Sequence, residues 1–343
     1  MPSLFERVAS VLFGGTGPSG GDLDQALVDE VTDAMVDIVE PRVKLRSGYR
    51  GKLAAGARRT IAHLRELAQH LPPEPLLLSR QAWANDPYVR AFFAAADDVA
   101  ICIGRCDELR QFFDEHPDCA QAHALLGMQR SERQVLAPRL EGETLRQEVV
   151  QTTVSFSGHR LLAPTAELTQ TRLEVGRRIM QRLAQLVLER IVGIDQQVQG
   201  LQQRKAMLGV RLRMLRAARE GMQPLVSEGL TIEQQIQDVE RELRATADDY
   251  AEARGNLTTL DGTIGHINAV LNEPPAHIAL ARTRLRLSRM GIKADRPSAE
   301  GDELDLAELS IGDGLQATIA FVRIPRSELP PPEDMLTQAL RSL

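Results

Sequence analysis

The chain of 343 residues has few aromatic side chains: they make up 3% of it, with a single tryptophan, Trp83. That scarcity, beside abundant Leu, Arg, Ala, Glu and Gln, favours helices over an all-β fold. Cysteine is also rare. Three cysteines, an odd number in a long chain, do not build a disulfide framework and point to a reducing compartment. No stretch approaches the roughly 18 apolar residues of a membrane-spanning helix. The opening MPSLFERVASVLFGG has one basic residue, Arg7, and no unbroken apolar core before a cleavage site, so it reads poorly as a secretory leader. A soluble, cytoplasmic protein without a transmembrane segment is expected. Positive charge is not in excess either. The net charge of −6 disfavours a generic nucleic-acid coat, which would be basic.

Signatures of catalysis and cofactor binding are equally sparse. There is no HExxH, no Walker A sequence and no paired-carboxylate signature. The string Gly15-Thr-Gly-Pro-Ser-Gly20 matches the letters of a dinucleotide fingerprint. No strand precedes it and no βαβ unit surrounds it, so GGTGPSGG (14–21) reads as a flexible tether. Ser155, Ser157 and His159 alternate along a strand and would share one polar face, without the strand–elbow–helix context of a nucleophilic serine. Cys102, Cys106, Cys119 and His123, with His116 nearby, are the best zinc candidates, because each i, i+4 pair would share a helix face. Against zinc, Val99, Cys102, Cys106, Leu109 and Phe113 form one apolar stripe, in which cysteine acts as a small core hydrophobe. The reading is of no cofactor, no metal, no catalytic residue and no enzyme.

What the sequence does have is two heptad patterns. Ala184, Val187, Ile191, Ile194, Val198, Leu201, Lys205, Leu208, Leu212 and Leu215 alternate in steps of three and four. So do Ile232, Ile236, Val239, Leu243, Thr246, Tyr250, Ala253, Leu257, Leu260, Ile264, Ile267 and Leu271. Only Lys205 and Thr246 are not apolar. Each set puts a narrow stripe on one helix face, to be buried against a partner. The break between them, Ala217–Leu230, is short enough to favour antiparallel neighbours. Residues 172–219 carry eleven positive and three negative side chains, a net of +8; residues 231–272 carry three and eight, a net of −5. Flanking charges of opposite sign favour pairing within one chain over a parallel homodimer. A rod of about 60 Å follows from the helical rise. Gly193 and Gly200, one heptad apart like Gly255 and Gly262, read as slack helix sequence.

Around this pair the periodicity changes. Helices are expected at 22–39, 49–70, 79–84, 86–95, 97–115 and 118–131. Period-two texture follows in Val135–Leu140 and Leu145–Phe156, around a Glu141-Gly142-Glu143 turn, and returns in Ala281–Ile292, Leu304–Ile311 and Leu315–Ile324. The expected fold is α+β and predominantly α: a helical N-terminal domain, then a small antiparallel β domain with a long antiparallel coiled-coil hairpin inserted. The boundaries are 1–21 for an amphipathic segment and tether, 22–131 for the helical domain, 132–163 plus 276–330 for the split β domain, 164–273 for the hairpin and 331–343 for a tail.

Candidate binding residues fall in three places. Leu4, Phe5, Val8 and Leu12 line one side of the N-terminal segment, suited to a partner's groove, in preference to a membrane surface, or equally to packing back onto the chain's own domain. Arg211, Arg213, Arg216 and Arg219 lie toward the hairpin tip. Arg282, Arg284 and Arg286 share a strand face, where they would follow phosphates or pair with Asp302, Glu303, Asp305 and Glu308. Glu40-Pro-Arg42 with Gly48-Tyr-Arg50, Val154-Ser-Phe-Ser-Gly-His-Arg-Leu161, Leu287-Ser-Arg-Met-Gly-Ile-Lys293 and Val322-Arg-Ile-Pro-Arg326 resemble an uncharacterised, chiefly proteobacterial family of hypothetical coiled-coil-containing proteins with no assigned function. The resemblance implies a bacterial cytosolic protein and carries over no catalytic residue. The expected function is a scaffold or adaptor that binds an unidentified protein partner through the hairpin or the N-terminal segment. The alternative is a nucleic-acid-associated protein using the arginine strand and hairpin tip, which the acidic balance disfavours. A homo-oligomer stays open.

Overall fold

A computed structural model describes residues 25–331, apart from 72–73, 142–143, 223–228, 295–300 and 313. The fold is mixed α+β: N-terminal helices, a five-strand antiparallel sheet, and a long helical hairpin between its strands. Helix α1 (Gln25–Val39), a 3-10 turn (Pro41–Leu45) and α2 (Tyr49–Gln69) come first. They are followed by a short strand β1 (Leu76–Leu77) and helices α3 (Arg80–Asn85), α4 (Pro87–Phe92), α5 (Ala96–Gly104) and α6 (Asp107–Glu115). Strands β2 (Gln121–Glu141) and β3 (Thr144–Thr165) precede α7 (Leu168–Met222), α8 (Gly229–Thr258), α9 (Leu260–Asn272) and α10 (Pro274–His277). Strands β4 (Ile278–Leu287), β5 (Asp302–Ile311) and β6 (Leu315–Pro325) end the fold. The described residues divide into two compact units: 25–27 with 60–180 and 274–331, and 28–59 with 181–273.

The first unit is built on the sheet, ordered β3-β2-β6-β5-β4, with β1 pairing in parallel to β6. Strand β2 lies between β3 and the central β6, and its Ala122, Ala124, Leu126 and Met128 alternate toward one buried core. Ala320, Val322 and Ile324 of β6 and Leu304 and Leu306 of β5 join that core, beneath Val89, Phe92, Ile103, Leu109 and Phe113 of the short helices. Caps fix those helices: Ala82 N–H donates to Ser79 Oγ at 3.0 Å, and Tyr88 N–H to Asp86 Oδ1 at 2.8 Å with Pro87 in the first turn. On the other sheet face, the Arg172 guanidinium of α7 lies 5.4 Å from the Phe321 ring centroid.

The sheet is bridged edge to edge. Val154 N–H of β3 donates to Gly291 O at 2.8 Å and Lys293 N–H to Thr152 O at 2.8 Å. On the opposite side Ser288 N–H donates to Ile292 O at 2.9 Å and Ala294 N–H to Arg286 O at 2.9 Å. The segment after β4 therefore pairs with both edge strands, which covers the free edges that invite aggregation.

The second unit is helical. Val31, Met35, Val36, Val43, Leu53, Ala57, Leu183, Val187, Ile267 and Leu271 are buried in it. Helices α2 and α9 approach closely at Gly56, where a β-carbon would lie 2.8 Å from Leu271 Cβ. Asp261 at the start of α9 bonds Lys52 at 2.7 Å and Arg46 at 2.5 Å.

Several expected elements change. The helix expected at 118–131 is strand from Gln121 onward, because pairing on both sides outweighs the local helix propensity of its Ala, Leu, Gln and Met. The helix at 97–115 breaks between Gly104 and Asp107, where a β-carbon on Gly104 would meet the Pro330 ring at 2.7 Å. Strand β4 stops at Leu287, because Gly291, with φ +72, turns the chain. The second heptad helix is interrupted at Thr259, whose hydroxyl accepts Gly262 N–H at 3.0 Å and caps α9. The N-terminal segment with Leu4, Phe5, Val8 and Leu12, the Gly15–Gly20 string and residues 332–343 of the tail lie outside the described residues.

Candidate functional site

The hairpin closes its own seam. Ala184, Val187, Val198, Leu208 and Leu212 of α7 are buried, as are Ile236, Val239 and Thr246 of α8. Toward the tip, Leu208, Leu212, Ile236 and Val239 form a separate core, with Leu215, Ile232 and Leu243 packed against it. Thr246 is accommodated because its hydroxyl donates to Glu242 O at 2.8 Å. Lys205 stays exposed and reaches across, its Nζ 5.4 Å from the Tyr250 ring centroid.

Ion pairs also cross the hairpin. Arg204 pairs with Glu242 at 2.5 Å, Arg216 with Glu240 at 2.7 Å and Arg219 with Glu233 at 3.2 Å. Partners descend on α8 as positions rise on α7, as antiparallel helices require. Exposed pairs of this kind each contribute only about 0–1 kcal/mol, so they select the arrangement more than they stabilise it. Two of the four hairpin arginines, Arg216 and Arg219, are thus engaged within the hairpin. Arg211 and Arg213 are exposed, and neither takes part in a described ion pair.

The sequence reading missed a second stripe on α7. Met207, Val210 and Met214 are 73%, 41% and 68% exposed. With about 3.6 residues per turn, they lie on the side of α7 opposite Leu208, Leu212 and Leu215, with Arg211 and Arg213 flanking them left and right. The signal was visible: Gly193, Gly200, Met207 and Met214 repeat every seven residues, with Val210 three after Met207. A β-carbon on Gly193 or Gly200 would meet nothing within 4 Å, so no described element packs on that face there.

The arginine strand is neutralised from β5. Arg282 donates to both oxygens of Asp305, at 3.0 and 2.6 Å, and to His70 O at 2.8 Å. Arg286 bonds Glu303 at 3.2 Å, while Arg284 lies 3.9 Å from Asp305 and remains largely exposed. The hydrogen bonds from Arg282 hold the Asp305 carboxyl below the ordinary carboxylate range.

The zinc candidates do not converge. Cys102 lies on α5, Cys106 precedes α6 as its N-cap, Cys119 is in the following loop and His123 is on β2, its Nδ1 3.0 Å from Ala166 O. Cys102 and Cys106 belong to the apolar core of the sheet unit. Burial pushes the Cys102 thiol up to about 12 and the Cys106 thiol upward as well, which disfavours the thiolate a metal needs. Among the described residues no three His, Cys, Asp or Glu side chains group around a point. Ser155, Ser157 and His159 do not share a face. A bulge at Gly158, φ +65, adds a residue between the Ser157–Gln129 and Arg160–Gly127 pairs and reverses the alternation. His159 then stacks on Phe93 with ring centroids 4.4 Å apart, and its Nε2 lies 2.7 Å from Phe92 O.

The sheet unit also holds a half-open cavity of about 300 Å³ beside the closing turn, walled by Trp83, Phe92, Phe156, Leu287 and Met290. Several of its polar groups are engaged within the fold: Arg90 with Asp302 at 2.6 Å, Trp83 Nε1–H with Phe93 O at 2.8 Å, and Ser288 Oγ with Ile292 N–H at 3.2 Å. No helix among the described residues is long and apolar enough to cross a membrane. No protein-family model matches the chain, and no match was found among curated proteins or solved structures.

Proposed function

We propose that the protein is a non-enzymatic scaffold or adaptor, working in the bacterial cytoplasm, that binds a protein partner through the outer surface of its helical hairpin. One observation carries this reading: α7 satisfies α8 with one face and leaves a second apolar stripe, Met207, Val210 and Met214, exposed on the other. An exposed apolar row flanked by charge is a common mark of a recognition surface. The pairing of Arg282 and Arg286 with carboxylates gives the nucleic-acid alternative no comparable support.

The test is affinity capture from the source cells, followed by mass spectrometry. The full chain is compared with a chain in which residues 205–241 are replaced by a short Gly-Ser linker between Arg204 and Glu242, which already touch. Loss of the captured partners is expected. Partners retained by that chain, but lost when residues 1–21 are removed, would move recognition to the N-terminal segment and contradict the proposal.

A further inference from the structure

Resting on the hairpin reading, we infer that the Met207–Val210–Met214 face of α7 is a docking site for an acidic amphipathic helix of another protein. The stripe rises in steps of three and four, so the element that covers it in register is a helix with its own heptad row. Methionine suits such a surface, because its unbranched, polarizable chain adapts to a partner's knobs.

Charge selects the occupant. From residue 196 to 219 helix α7 carries no Asp or Glu, whereas Arg204, Lys205, Arg211, Arg213, Arg216 and Arg219 are all basic. Arg204, Arg216 and Arg219 are held by α8 carboxylates, which leaves Arg211 and Arg213 to border the stripe. Residues flanking a helical seam choose the partner by sign. A helix with carboxylates on both sides of its apolar row complements this face.

Other occupants fit less well. A second copy's α7 would bring Arg211 and Arg213 against their own kind. Helix α8 presents no exposed large apolar side chain among the described residues. The chain's own N-terminal segment, MPSLFERVASVLF, offers one carboxylate, Glu6, offset by Arg7.

The experiment uses the full chain and two fluorescent synthetic helical peptides with leucine at heptad positions a and d. One has glutamate at e and g, the other lysine. The glutamate peptide is expected to bind at least 10-fold tighter in fluorescence anisotropy and to weaken as salt is raised. Met207→Ser with Met214→Ser, and separately Arg211→Glu with Arg213→Glu, should each weaken it at least 10-fold, with an unchanged circular-dichroism melt showing the hairpin intact. Equal binding of the two peptides, or binding indifferent to both variants, overturns the inference. So does binding of the stripe to anionic-lipid vesicles without peptide binding, or recovery of peptide binding only after residues 1–21 are deleted. If the peptides fail while partner capture still requires residues 205–241, this partner class is wrong and the hairpin reading survives.

Discussion

Lys205 and Tyr250 face each other across the hairpin, the ammonium 5.4 Å from the ring centroid. The one charged residue in the first heptad row thus meets the only aromatic residue in the second, which Arg254 also approaches, its guanidinium carbon 5.8 Å from the ring. The exposed cation lies over a ring face, so the charge is not stranded in a core.

A double-mutant cycle of Lys205→Gln and Tyr250→Leu, read by urea unfolding, should give a coupling of about 0.5–1 kcal/mol, the usual range for an exposed cation–π pair. Strict additivity would mean that the contact contributes nothing and that Lys205 is merely tolerated.

Gly291→Ala tests the closure of the sheet. The residue has φ +72, and an added β-carbon would lie 2.8 Å from Val154 O, the backbone of the strand it joins. The left-handed backbone alone costs an alanine about 1–2 kcal/mol, and the clash adds to it. A stability loss of about 2 kcal/mol or more is expected, with faster amide exchange at Val154 and Lys293. An unchanged midpoint would show that residues 291–294 are not held between the edge strands.

At Gly56 two effects oppose each other. Alanine should stabilise a helix interior by about 0.5–1 kcal/mol. Here its β-carbon would sit 2.8 Å from Leu271 Cβ and 3.0 Å from Asn268 Oδ1. Overpacking of that kind costs about 1–3 kcal/mol, so Gly56→Ala should lower stability. A rise in the melting temperature would mean that α2 and α9 are farther apart than described.

His159 makes stability depend on pH. Burial lowers its pKa below the ordinary 6.5, against the opposing pull of the Phe92 carbonyl and the Asp98 charge. The unfolded chain then binds the additional proton in the window below 6.5, where its imidazole titrates. The contribution of neutral His159 is full above that pH and is lost as pH falls through the lower folded value. Urea unfolding above and below pH 6.5 should show a larger drop for the native chain than for His159→Phe, which keeps the stack on Phe93 and cannot titrate. Identical drops would remove His159 as the cause.

The hairpin was legible because a seam of period three and four cannot be satisfied by a strand, the short break favours antiparallel neighbours, and opposite charge beside the two rows favours pairing within one chain. Strand β2 was hidden by its composition. Ala122, Ala124, Leu126 and Met128 do alternate, but small and straight-chain residues carry helix propensity, and only β3 and β6 on either side settle the matter. The Gly158 bulge was equally silent, since one extra residue reverses a strand's faces without altering its composition. The outer stripe was readable in the Gly193–Gly200–Met207–Met214 repeat, but buried and exposed rows of one helix look alike until a partner occupies one of them.

Recognition by the outer face of α7 requires that the seam be closed within one chain. The direct measurement is continuous-wave EPR on a chain spin-labelled at Arg204→Cys and Glu242→Cys, with half-buried Cys119 replaced by serine and Cys102 and Cys106 left in the core. The expected spectrum is dipolar-broadened, and the broadening persists when labelled protein is diluted into a large excess of unlabelled protein. Broadening that disappears on dilution would place the two helices in different molecules and contradict the account.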